Sequence, residues 1–543
     1  MPPMMPSSAA RSGPAASGLT ADVAVVGCGP VGLVLSILLA HRGWQVVILE
    51  KYENQYPFPR VVAFDGETAR TFATAGIGAE LMELGEPLGQ YMFQNGAGRE
   101  LFSFEAPYEP GRDGWPIATV MHQPTFEKAL RAHVAELPNV TALFGHEVRQ
   151  ITDRGDHVEI TAPGAGGPPD GRVTASYVVG CDGANSFVRD AMGAKLSDLG
   201  FAHDWLLVDV VFHEPRSFRP NDVQICDPNR PTTIVASGRG HRRWEFMRLP
   251  GESVEELGTH ERMWQLLAPY DVTPENADLT RNIVYTFQAA LADSWRAGRL
   301  LLAGDSAHLM PPFAGQGMCS GVRDAANLAW KLDLVLRGTA RDTLLDVYQA
   351  ERSRQVRHTI DMSIEVGRIV SELDHAAAAR RDAYLIGLHS RPDAPSLSPS
   401  WFALEDGVVR RDASGSVAPR AGELSPQGVV ARGTVKDRFD DVVGRGFQLI
   451  TTVDPYETLS EDDLDFLKSI GTRLVRVLPA GILPKRARDH EVVDVRRTYL
   501  PYLAQTRQTG VLVRPDHYVF GFAGDGADLS VLVGELREQL HLV

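Results

Sequence analysis

Three glycines near the start of the chain have the spacing of a dinucleotide-binding turn. Gly27, Gly29 and Gly32 stand between two apolar runs, which predicts a buried strand, a tight turn and a buried helix over residues 22–40. In such a turn Gly27 permits the bend, Gly29 lets a pyrophosphate approach the backbone, and Gly32 lets the helix pack closely on the strand. The start of this helix presents free N–H groups to the phosphates.

An acidic residue ends the next predicted strand, which covers residues 45–49. Glu50 is placed to accept hydrogen bonds from the adenosine ribose, each contributing about 1.5–3 kcal/mol because one partner is charged. Its charge disfavours the 2′-phosphate of NADP at this site. Strand, turn, helix and acid together favour bound FAD or NAD over a turn that is only structural.

Two further segments place an acid beside a glycine at the end of a buried strand. Asp182 and Gly183 lie in YVVGCDGANSFVR at 177–189, and Gly304 and Asp305 lie in RLLLAGDSAHLMPP at 299–312. With the glycine turn, these segments resemble the class A flavoprotein monooxygenases, the family of para-hydroxybenzoate hydroxylase and phenol hydroxylase. The resemblance covers about residues 20–385, with the three motifs in the family's order.

The resemblance implies FAD as the bound cofactor and NADH or NADPH as a transient reductant. It places Asp305 at the FAD ribityl chain, and the helix start at 315–318 against the flavin pyrimidine edge. It gives Asp182 and Gly183 a role in FAD placement and nicotinamide access, with Arg189 as partner. Arg60 and Gln123 match positions that contact FAD phosphates. The chain has no second Gly-x-Gly-x-x-Gly turn, so the nicotinamide must bind and leave.

The complete predicted cofactor site combines these motifs with their neighbours. It consists of Gly27, Gly29, Pro30, Gly32, Glu50, Lys51, Arg60, Gln123, Val148, Asp182, Gly183, Gly304, Asp305, Gly315, Gly317 and Met318.

Other reactive side chains receive structural interpretations. His308, just after a buried strand, is interpreted as a structural hydrogen-bonding group rather than a general base. Cys319 is interpreted as packing, because nothing nearby marks it as an activated thiolate. Asp324 and Lys331 are expected to form local charge pairs on their helix. No metal site is predicted, and the flavin is expected to carry the chemistry without a defined catalytic pair.

Within the family, the segments 315–332 and 227–247 are most similar to 3-(3-hydroxyphenyl)propionate hydroxylases. The similarity implies hydroxylation of a small phenolic substrate with O2 and NAD(P)H through a flavin C4a-hydroperoxide. One departure is Ala290, where many relatives carry an arginine, and it leaves the substrate open. Hydroxylation of a polycyclic polyketide, Baeyer–Villiger or epoxide insertion, and a non-enzymatic flavoprotein are the alternatives.

The substrate pocket is expected between the flavin edge and an antiparallel sheet. Arg239, His241 and Arg243 are candidates for a substrate carboxylate, although solvated strand charges are the simpler interpretation of each. The predicted pocket walls are Pro311, Pro312, Phe313, Trp244, Phe246 and Phe287.

The motifs predict an α/β fold with a Rossmann-like FAD-binding domain and an antiparallel-sheet substrate domain, and the resemblance implies a C-terminal thioredoxin-like domain. A disordered tail is predicted at 1–20 and the FAD-binding domain at 21–200 and 290–390. The substrate-binding sheet is expected at 200–290, and a Pro/Ser-rich linker at 390–400. The segment 400–543 resembles the appendage of phenol hydroxylases and contains no cysteine, which excludes thiol redox chemistry there.

Composition limits the partners. A net charge of −15 argues against nucleic acid and anionic membranes. The four cysteines have no paired spacing, the first twenty residues lack the apolar core of a signal peptide, and no apolar run is long enough for a membrane span. We therefore expect a cytoplasmic protein, with the choice between monomer and homodimer left open.

Overall fold

The structure is a computed structural model that describes residues 18–168, 170–391, 402–482, 488–505 and 507–540. Residues 1–17 of the predicted tail and residues 392–400 of the predicted linker lie outside the described residues. No helix in the described ranges is long and apolar enough to cross a membrane.

The first half of the chain alternates strands and helices. Its strands are β1 (Leu19–Val26), β2 (Val46–Glu50), β3 (Ala63–Asp65), β4 (Gly85–Pro87), β5 (Gly89–Asn95), β6 (Glu100–Ala106), β7 (Ala118–Met121), β8 (Val140–Phe144), β9 (Gln150–Asp153), β10 (Val158–Thr161), β11 (Arg172–Gly180), β12 (Leu196–Phe212), β13 (Asp222–Cys226), β14 (Thr232–Ala236), β15 (His241–Met247) and β16 (Ala277–Ala292). Its helices are α1 (Pro30–Ala40), α2 (Gly66–Thr74), α3 (Gly78–Leu84), α4 (Gln123–Glu136), α5 (Phe187–Met192), α6 (Val254–Leu257) and α7 (His260–Leu267).

The second half adds long helices and a further sheet. Its strands are β17 (Arg296–Ala297), β18 (Leu300–Leu302), β19 (His308–Leu309), β20 (Val429–Arg432), β21 (Val435–Arg438), β22 (Gln448–Thr451), β23 (Arg473–Pro479), β24 (Glu491–Asp494), β25 (Gly510–Val513) and β26 (Val519–Ala523). Its helices are α8 (Gly317–Leu336), α9 (Asp346–Val370), α10 (His375–His389), α11 (Phe439–Val443), α12 (Pro455–Thr458), α13 (Glu461–Ser469), α14 (Tyr499–Ala504) and α15 (Gly526–Gln539).

A parallel sheet forms the centre of the predicted FAD-binding domain. Strands β18, β11, β1 and β2 are neighbours in that order, and each pair is parallel. The strands are buried on both faces, as parallel strands covered by helices usually are. Because parallel strands end at the same edge, the predicted motifs after β18, β11, β1 and β2 lie side by side. Ligands of open α/β sheets bind at that edge.

A second sheet carries the long strands β12 and β16, which pair antiparallel. Its order is β19-β16-β12-β15-β14-β13-β5-β6, so it extends beyond the predicted 200–290 segment and includes residues 89–106. The sequence did not indicate this addition, because strand alternation does not show which sheet a strand will join.

The C-terminal sheet has the order β21-β20-β24-β23-β22-β25-β26 and mixes parallel and antiparallel pairs. Helices α13 and α15 pack on one side of it around Leu467, Leu529 and Leu532. Trp330 of α8 belongs to the same apolar cluster, so this thioredoxin-like domain packs directly on the FAD-binding part.

Candidate cofactor and substrate site

The glycine turn has the shape that its spacing predicts. Gly27 has φ +103, and a Cβ there would lie 2.3 Å from the Cys181 carbonyl oxygen. A Cβ on Gly32 would lie 2.2 Å from the carbonyl oxygen of Gly27. A Cβ on Gly29 would meet nothing within 4 Å. The protein itself therefore requires glycine at positions 27 and 32, whereas Gly29 borders open space of the kind a pyrophosphate needs.

Helix α1 begins directly behind this space. Gly29 is its N-cap, Pro30 is its first residue, and no side chain caps its N–H groups. Glu50 accepts hydrogen bonds from the backbone N–H of Cys28 at 2.8 Å and of Tyr52 at 3.0 Å. A carboxylate has about four acceptor sites. Glu50 thus fixes the turn and retains acceptor capacity toward a ribose.

The Asp182 motif shapes the same edge from β11. Asp182 accepts from the Ser186 hydroxyl at 2.5 Å and from the Val188 N–H at 3.1 Å, and burial raises the pKa of its carboxyl. Gly183 has φ +81 and open space at its Cα. Arg189 donates to the Ser306 carbonyl at 3.2 Å, so it links this motif to the Gly304 motif instead of pairing with the carboxylate of Asp182.

The Gly304 motif follows β18. Gly304 has φ +68, and a Cβ there would lie 3.1 Å from Val31 of α1. Asp305 is exposed between buried Gly304 and Ser306. The surrounding protein nevertheless desolvates its carboxyl and raises the pKa, while nearby His308 and Arg60 lower it. The Asp305 carboxylate is therefore accessible to a ligand at the end of β18.

Asp324 is a buried carboxylate that accepts hydrogen bonds from three other elements of the fold, a role that the sequence did not predict. Its carboxylate accepts from the N–H of Gly304 at 3.0 Å, Nε2 of His308 at 2.7 Å and Nε of Arg352 at 2.8 Å. Against the effect of burial, the charges of His308 and Arg352 lower the pKa of Asp324 to about 2. By bonding the N–H of Gly304, Asp324 holds the Gly304 motif, and with it Asp305, in place. His308 has the structural hydrogen-bonding role that the sequence predicts.

The expectation of local pairing along α8 was accordingly wrong for Asp324 and Lys331. Lys331 donates to Glu351 of α9 at 2.7 Å, as well as to Asn327 on its own helix. Both residues are fully buried. A buried charge needs a partner of good geometry wherever it lies, and tertiary contacts supply most of these partners.

The segment 315–318 turns into α8. Gly315 has φ +64 with open space at its Cα, and α8 begins at Gly317 without a side-chain cap. Gln316 accepts from Nη1 of Arg323 at 2.9 Å, and Met318 is buried behind it. Burial raises the pKa of Cys319 to about 12, which agrees with a packing role. A Cβ on Gly321 of α8 would lie 2.5 Å from the side chain of Val31 in α1, so the N-terminal parts of the two helices lie close together.

The side chain of Gln123 fixes the backbone of the segment that carries Arg60. The Gln123 side chain is buried; its oxygen accepts from the N–H groups of Arg60 and Val61, each at 2.7 Å, and its amide donates to Glu127 at 2.6 Å. Its polar atoms are therefore used to hold the Arg60 segment. The Arg60 guanidinium is exposed, 4.6 Å from the centre of the Tyr56 ring. The Arg60 guanidinium has no hydrogen-bond partner within the described residues, so it can bind a phosphate.

Two other residues of the predicted set have less specific surroundings. Lys51 is exposed, with its Nζ 5.0 Å from the centre of the Tyr52 ring. Val148 is buried in the main apolar core. Their positions beside Glu50 and β9 show no contact that distinguishes a cofactor role.

An aromatic wall stands where the antiparallel sheet meets the Pro311 segment. The ring centres of Trp205 and Phe287 are 5.5 Å apart, and Phe313 lies 5.4 Å from Trp205 and 5.7 Å from Phe287. Pro311 is buried and Pro312 exposed beside them. Phe287 and Phe313 therefore lie together as predicted walls of one apolar surface.

Trp244 and Phe246 do not belong to that surface. They pair across β12 with Val208 and Leu206 and pack with Met263 of α7, on the opposite face of the sheet. This placement corrects the prediction for both residues. Side chains alternate between faces along a strand, and here both faces are covered, so apolar character alone did not identify the substrate side.

The three residues predicted as candidates to bind a substrate carboxylate have different surroundings. Arg243 is buried and donates to Asp209 at 2.7 Å and to the carbonyl of Arg60 at 3.3 Å, so it is neither solvated nor free. The His241 ring stacks on His122, with centres 4.0 Å apart. Arg239 is an exposed residue beside Glu86.

The family position of Ala290 lies on β16. Ala290 is buried and pairs with Leu309 of β19, immediately before the Pro311 segment. The small side chain is thus accommodated within the sheet edge next to the predicted pocket.

The geometry defines a class of protein. Four strand ends, two helix starts without side-chain caps, the exposed carboxylate of Asp305 and the exposed guanidinium of Arg60 lie at one edge of the parallel sheet, beside the aromatic wall. The open positions at Gly29, Gly183 and Gly315 are cradles that side chains would fill. The residues present therefore fit an extended dinucleotide such as FAD.

Comparison with known proteins agrees with this geometry. A family model described as "FAD binding domain" matches residues 20–363, and one described as "HcaD C-terminal domain" matches 422–539. A probable NADH-specific resorcinol 4-hydroxylase of Rhodococcus jostii is 38% identical over 527 residues, 96% of each chain. A 3-(3-hydroxy-phenyl)propionate/3-hydroxycinnamic acid hydroxylase of Mycolicibacterium gilvum is 36% identical, covering 87% of this chain and 83% of its own.

Among solved structures, the flavin-dependent monooxygenase PieE, in complex with FAD and substrate, has a TM-score of 0.77 at 20% identity. The match covers 96% of this chain and 99% of that one. The chain belongs to the family of FAD-dependent aromatic hydroxylases. It is a flavoprotein monooxygenase that uses FAD with reduced nicotinamide.

Proposed function

We propose that the chain hydroxylates a single-ring phenol of the size of resorcinol or 3-(3-hydroxyphenyl)propionate. The observation that carries this proposal is the surface formed by Trp205, Phe287 and Phe313, which continues directly into the Gly315 turn. Such a surface suits a flat ring held beside the flavin. The names of the Rhodococcus and Mycolicibacterium relatives support the same substrate class.

The cofactor roles follow from the site. The Gly29 cradle and Arg60 would hold the pyrophosphate, Glu50 the adenosine ribose, and Asp305 the ribityl chain. The start of α8 would face the flavin pyrimidine edge and stabilise negative charge there. When bound, FAD supplies the redox chemistry that accepts hydride and activates O2. The chain's own residues orient the ring and exclude water.

We propose NADH as the reductant, following the Rhodococcus relative, which is named as NADH-specific. The absence of a second dinucleotide turn in the sequence supports transient binding near Asp182 and Gly183. The four cysteines are unpaired, which supports a reducing compartment, the cytoplasm.

The test is a screen of phenols with the purified yellow protein. Resorcinol, 3-(3-hydroxyphenyl)propionate and a polycyclic phenol are each supplied with NADH or NADPH while O2 uptake and product mass are followed. We expect a small phenol to stimulate NADH oxidation and to gain one oxygen atom on the ring. NADH oxidation that no phenol changes, with no oxygenated product, would overturn the proposal. Selective turnover of the polycyclic phenol, or oxygen inserted into a C–C bond, would replace it with one of the alternatives.

A further inference from the structure

Glu245 lies on the side of the antiparallel sheet that faces the predicted pocket. It stands on β15 between Trp244 and Phe246, whose side chains point to the α7 side. Its own side chain shares the other face with Met247, which packs in the main core with Trp205. Glu245 is 6% exposed. A buried acid therefore lies on the same sheet face as Trp205 of the aromatic wall.

The position of Glu245 along that face is central. Two residues before Glu245, on the same face of β15, Arg243 donates to the carbonyl of Arg60 in the predicted phosphate-binding segment. In the other direction, the row of Met247 and Trp205 leads to Phe313, 5.4 Å from Trp205. Glu245 thus lies between the cofactor-binding arginine segment and the aromatic wall.

The carboxylate of Glu245 has no hydrogen-bond partner within the described residues. Its nearest cation is Arg243, at 3.9 Å, and that guanidinium already bonds Asp209 at 2.7 and 3.0 Å. Burial of an unpaired carboxylate is costly, and buried polar groups are normally bonded. An acid left in this state has its acceptor sites free for a ligand.

A row of bonded polar groups continues from Glu245 across the sheet. Thr233, its cross-strand neighbour, donates to Gln224 at 2.6 Å, and Gln224 donates to the Tyr91 hydroxyl at 2.7 Å. All four side chains lie on the same face. In this row Glu245 is the acid, and its oxygens are the acceptors that no neighbour uses.

We propose that Glu245 contacts the substrate hydroxyl and accepts its proton during hydroxylation. This inference rests on the proposed function, because it requires a phenolic substrate. The phenol O–H bond breaks, its electron pair stays on the oxygen, and the proton passes to a Glu245 carboxylate oxygen. The products are a phenolate and a neutral carboxylic acid. The phenolate ring is more electron-rich and so more reactive toward oxygen insertion.

The surroundings make Glu245 a stronger base than an ordinary carboxylate. Burial raises its pKa to about 7, with Arg243 and Arg281 lowering it and Asp209 raising it. Tyr91 and Asp222 face the same region from β5 and β13. Because the carboxylate must be ionised to accept a proton, turnover should rise with pH through about 7.

The test compares holoenzyme variants with resorcinol and 3-(3-hydroxyphenyl)propionate as probes. Glu245→Gln removes the ionisable group at constant shape, Glu245→Asp keeps it, and Glu255→Gln changes an exposed acid on α6 as a control. Asp222→Asn tests whether Asp222, an acid on the same sheet face whose pKa burial also raises to about 7, produces the pH dependence. The measurements are flavin content, kcat and KM against pH, and the ultraviolet spectrum of the bound phenol.

We expect Glu245→Gln to keep its flavin and to lose about 10²- to 10³-fold in kcat, with a smaller change in KM. The rise through pH 7 and the phenolate absorbance of the bound probe should disappear in Glu245→Gln and remain in Glu245→Asp, Asp222→Asn and the control. Unchanged kcat and pH profile in Glu245→Gln would overturn the proposal, as would a Glu245→Asp variant that behaves like Glu245→Gln. If wild-type protein turns over no phenol, the proposed function fails and this inference fails with it; an active wild type with an unaffected Glu245→Gln rejects the inference alone.

Discussion

At the scale of single residues, Gly32 and Gly29 of the first turn are required for different reasons. Gly32 is required by the protein, because a Cβ there meets the Gly27 carbonyl at 2.2 Å. Gly29 has an ordinary backbone conformation, φ −81 and ψ −178, and its Cβ would enter empty space. Only a ligand makes glycine necessary at position 29.

Alanine substitutions at Gly32 and Gly29 should distinguish an effect on protein stability from an effect on FAD binding. Gly32→Ala should lower the free energy of unfolding by about 1–3 kcal/mol, because the helix must move off the strand. Gly29→Ala should change unfolding of the FAD-free protein by less than about 0.5 kcal/mol, yet weaken FAD binding at least about tenfold, a loss of about 1.4 kcal/mol. Urea unfolding and FAD titration measure both. Normal FAD affinity in Gly29→Ala would exclude the turn as the pyrophosphate site.

Residue patterns predicted the strand-end motifs, because the glycine spacing and the acid positions are set locally. They did not predict Asp324 as the support of the Gly304 turn. Its partners His308 and Arg352 come from other elements, and a single sequence does not show such distant contacts. The paired roles of Gln123 and Arg60 were hidden for the same reason.

At the scale of elements, the two faces of the antiparallel sheet serve different purposes. Phe246 packs toward α7, whereas Phe287 packs with Trp205 and Phe313. The sequence alternation indicated the sheet, but it did not show that Phe246 and Phe287 lie on opposite faces. Which face meets the cofactor depends on where α7 and the Pro311 segment pack, and that information is not local.

The matched variants Phe287→Leu and Phe246→Leu should separate these faces. Phe287→Leu should raise KM for the phenol about tenfold and reduce the fraction of NADH that yields product, because the ring loses an aromatic contact. Phe246→Leu should instead lower the free energy of unfolding by about 1–2 kcal/mol with little change in KM. Steady-state kinetics with product quantification, alongside urea unfolding, compares the two. The opposite pattern would place the substrate on the α7 face.

At the scale of the whole molecule, buried polar contacts fasten the C-terminal domain to the helices of the FAD-binding part. Arg70 of α2 pairs with Asp440 at 2.7 Å, Glu351 of α9 with Arg514 at 2.8 Å, and Glu67 accepts from Tyr518 at 2.8 Å. Glu67 also accepts a hydrogen bond from Arg323, and Arg323 in turn donates to Gln316 in the segment 315–318, which is predicted to contact the flavin. The domain thus supports the cofactor site without contributing thiol chemistry.

These pairs make stability depend on pH. Against the cost of burial, Arg70 holds the pKa of Asp440 well below its ordinary value. A carboxyl with a lowered folded pKa stabilises the fold above its unfolded pKa of about 4, and this contribution is lost as the pH falls below it. Asp440→Asn should therefore cost about 3–5 kcal/mol near neutral pH, since it leaves Arg70 buried and unpaired.

Urea unfolding of wild type, Asp440→Asn and the exposed control Asp441→Asn at several pH values measures this effect. The difference between wild type and Asp440→Asn should shrink as the pH falls from about 6 to about 3. A difference that stays constant with pH, or equals that of Asp441→Asn, would show that the ion pair does not anchor the domain.

We infer that the ends of four parallel strands hold one FAD beside Asp305. Titration of the FAD-free protein with FAD, followed by flavin absorbance and fluorescence, tests this binding site in wild type and in Asp305→Ala. We expect saturable binding of a single FAD by the wild type and at least about tenfold weaker binding by the variant, about 1.4 kcal/mol. A wild-type protein that binds no FAD, or an Asp305→Ala variant that binds it equally well, would show that FAD does not bind at these strand ends.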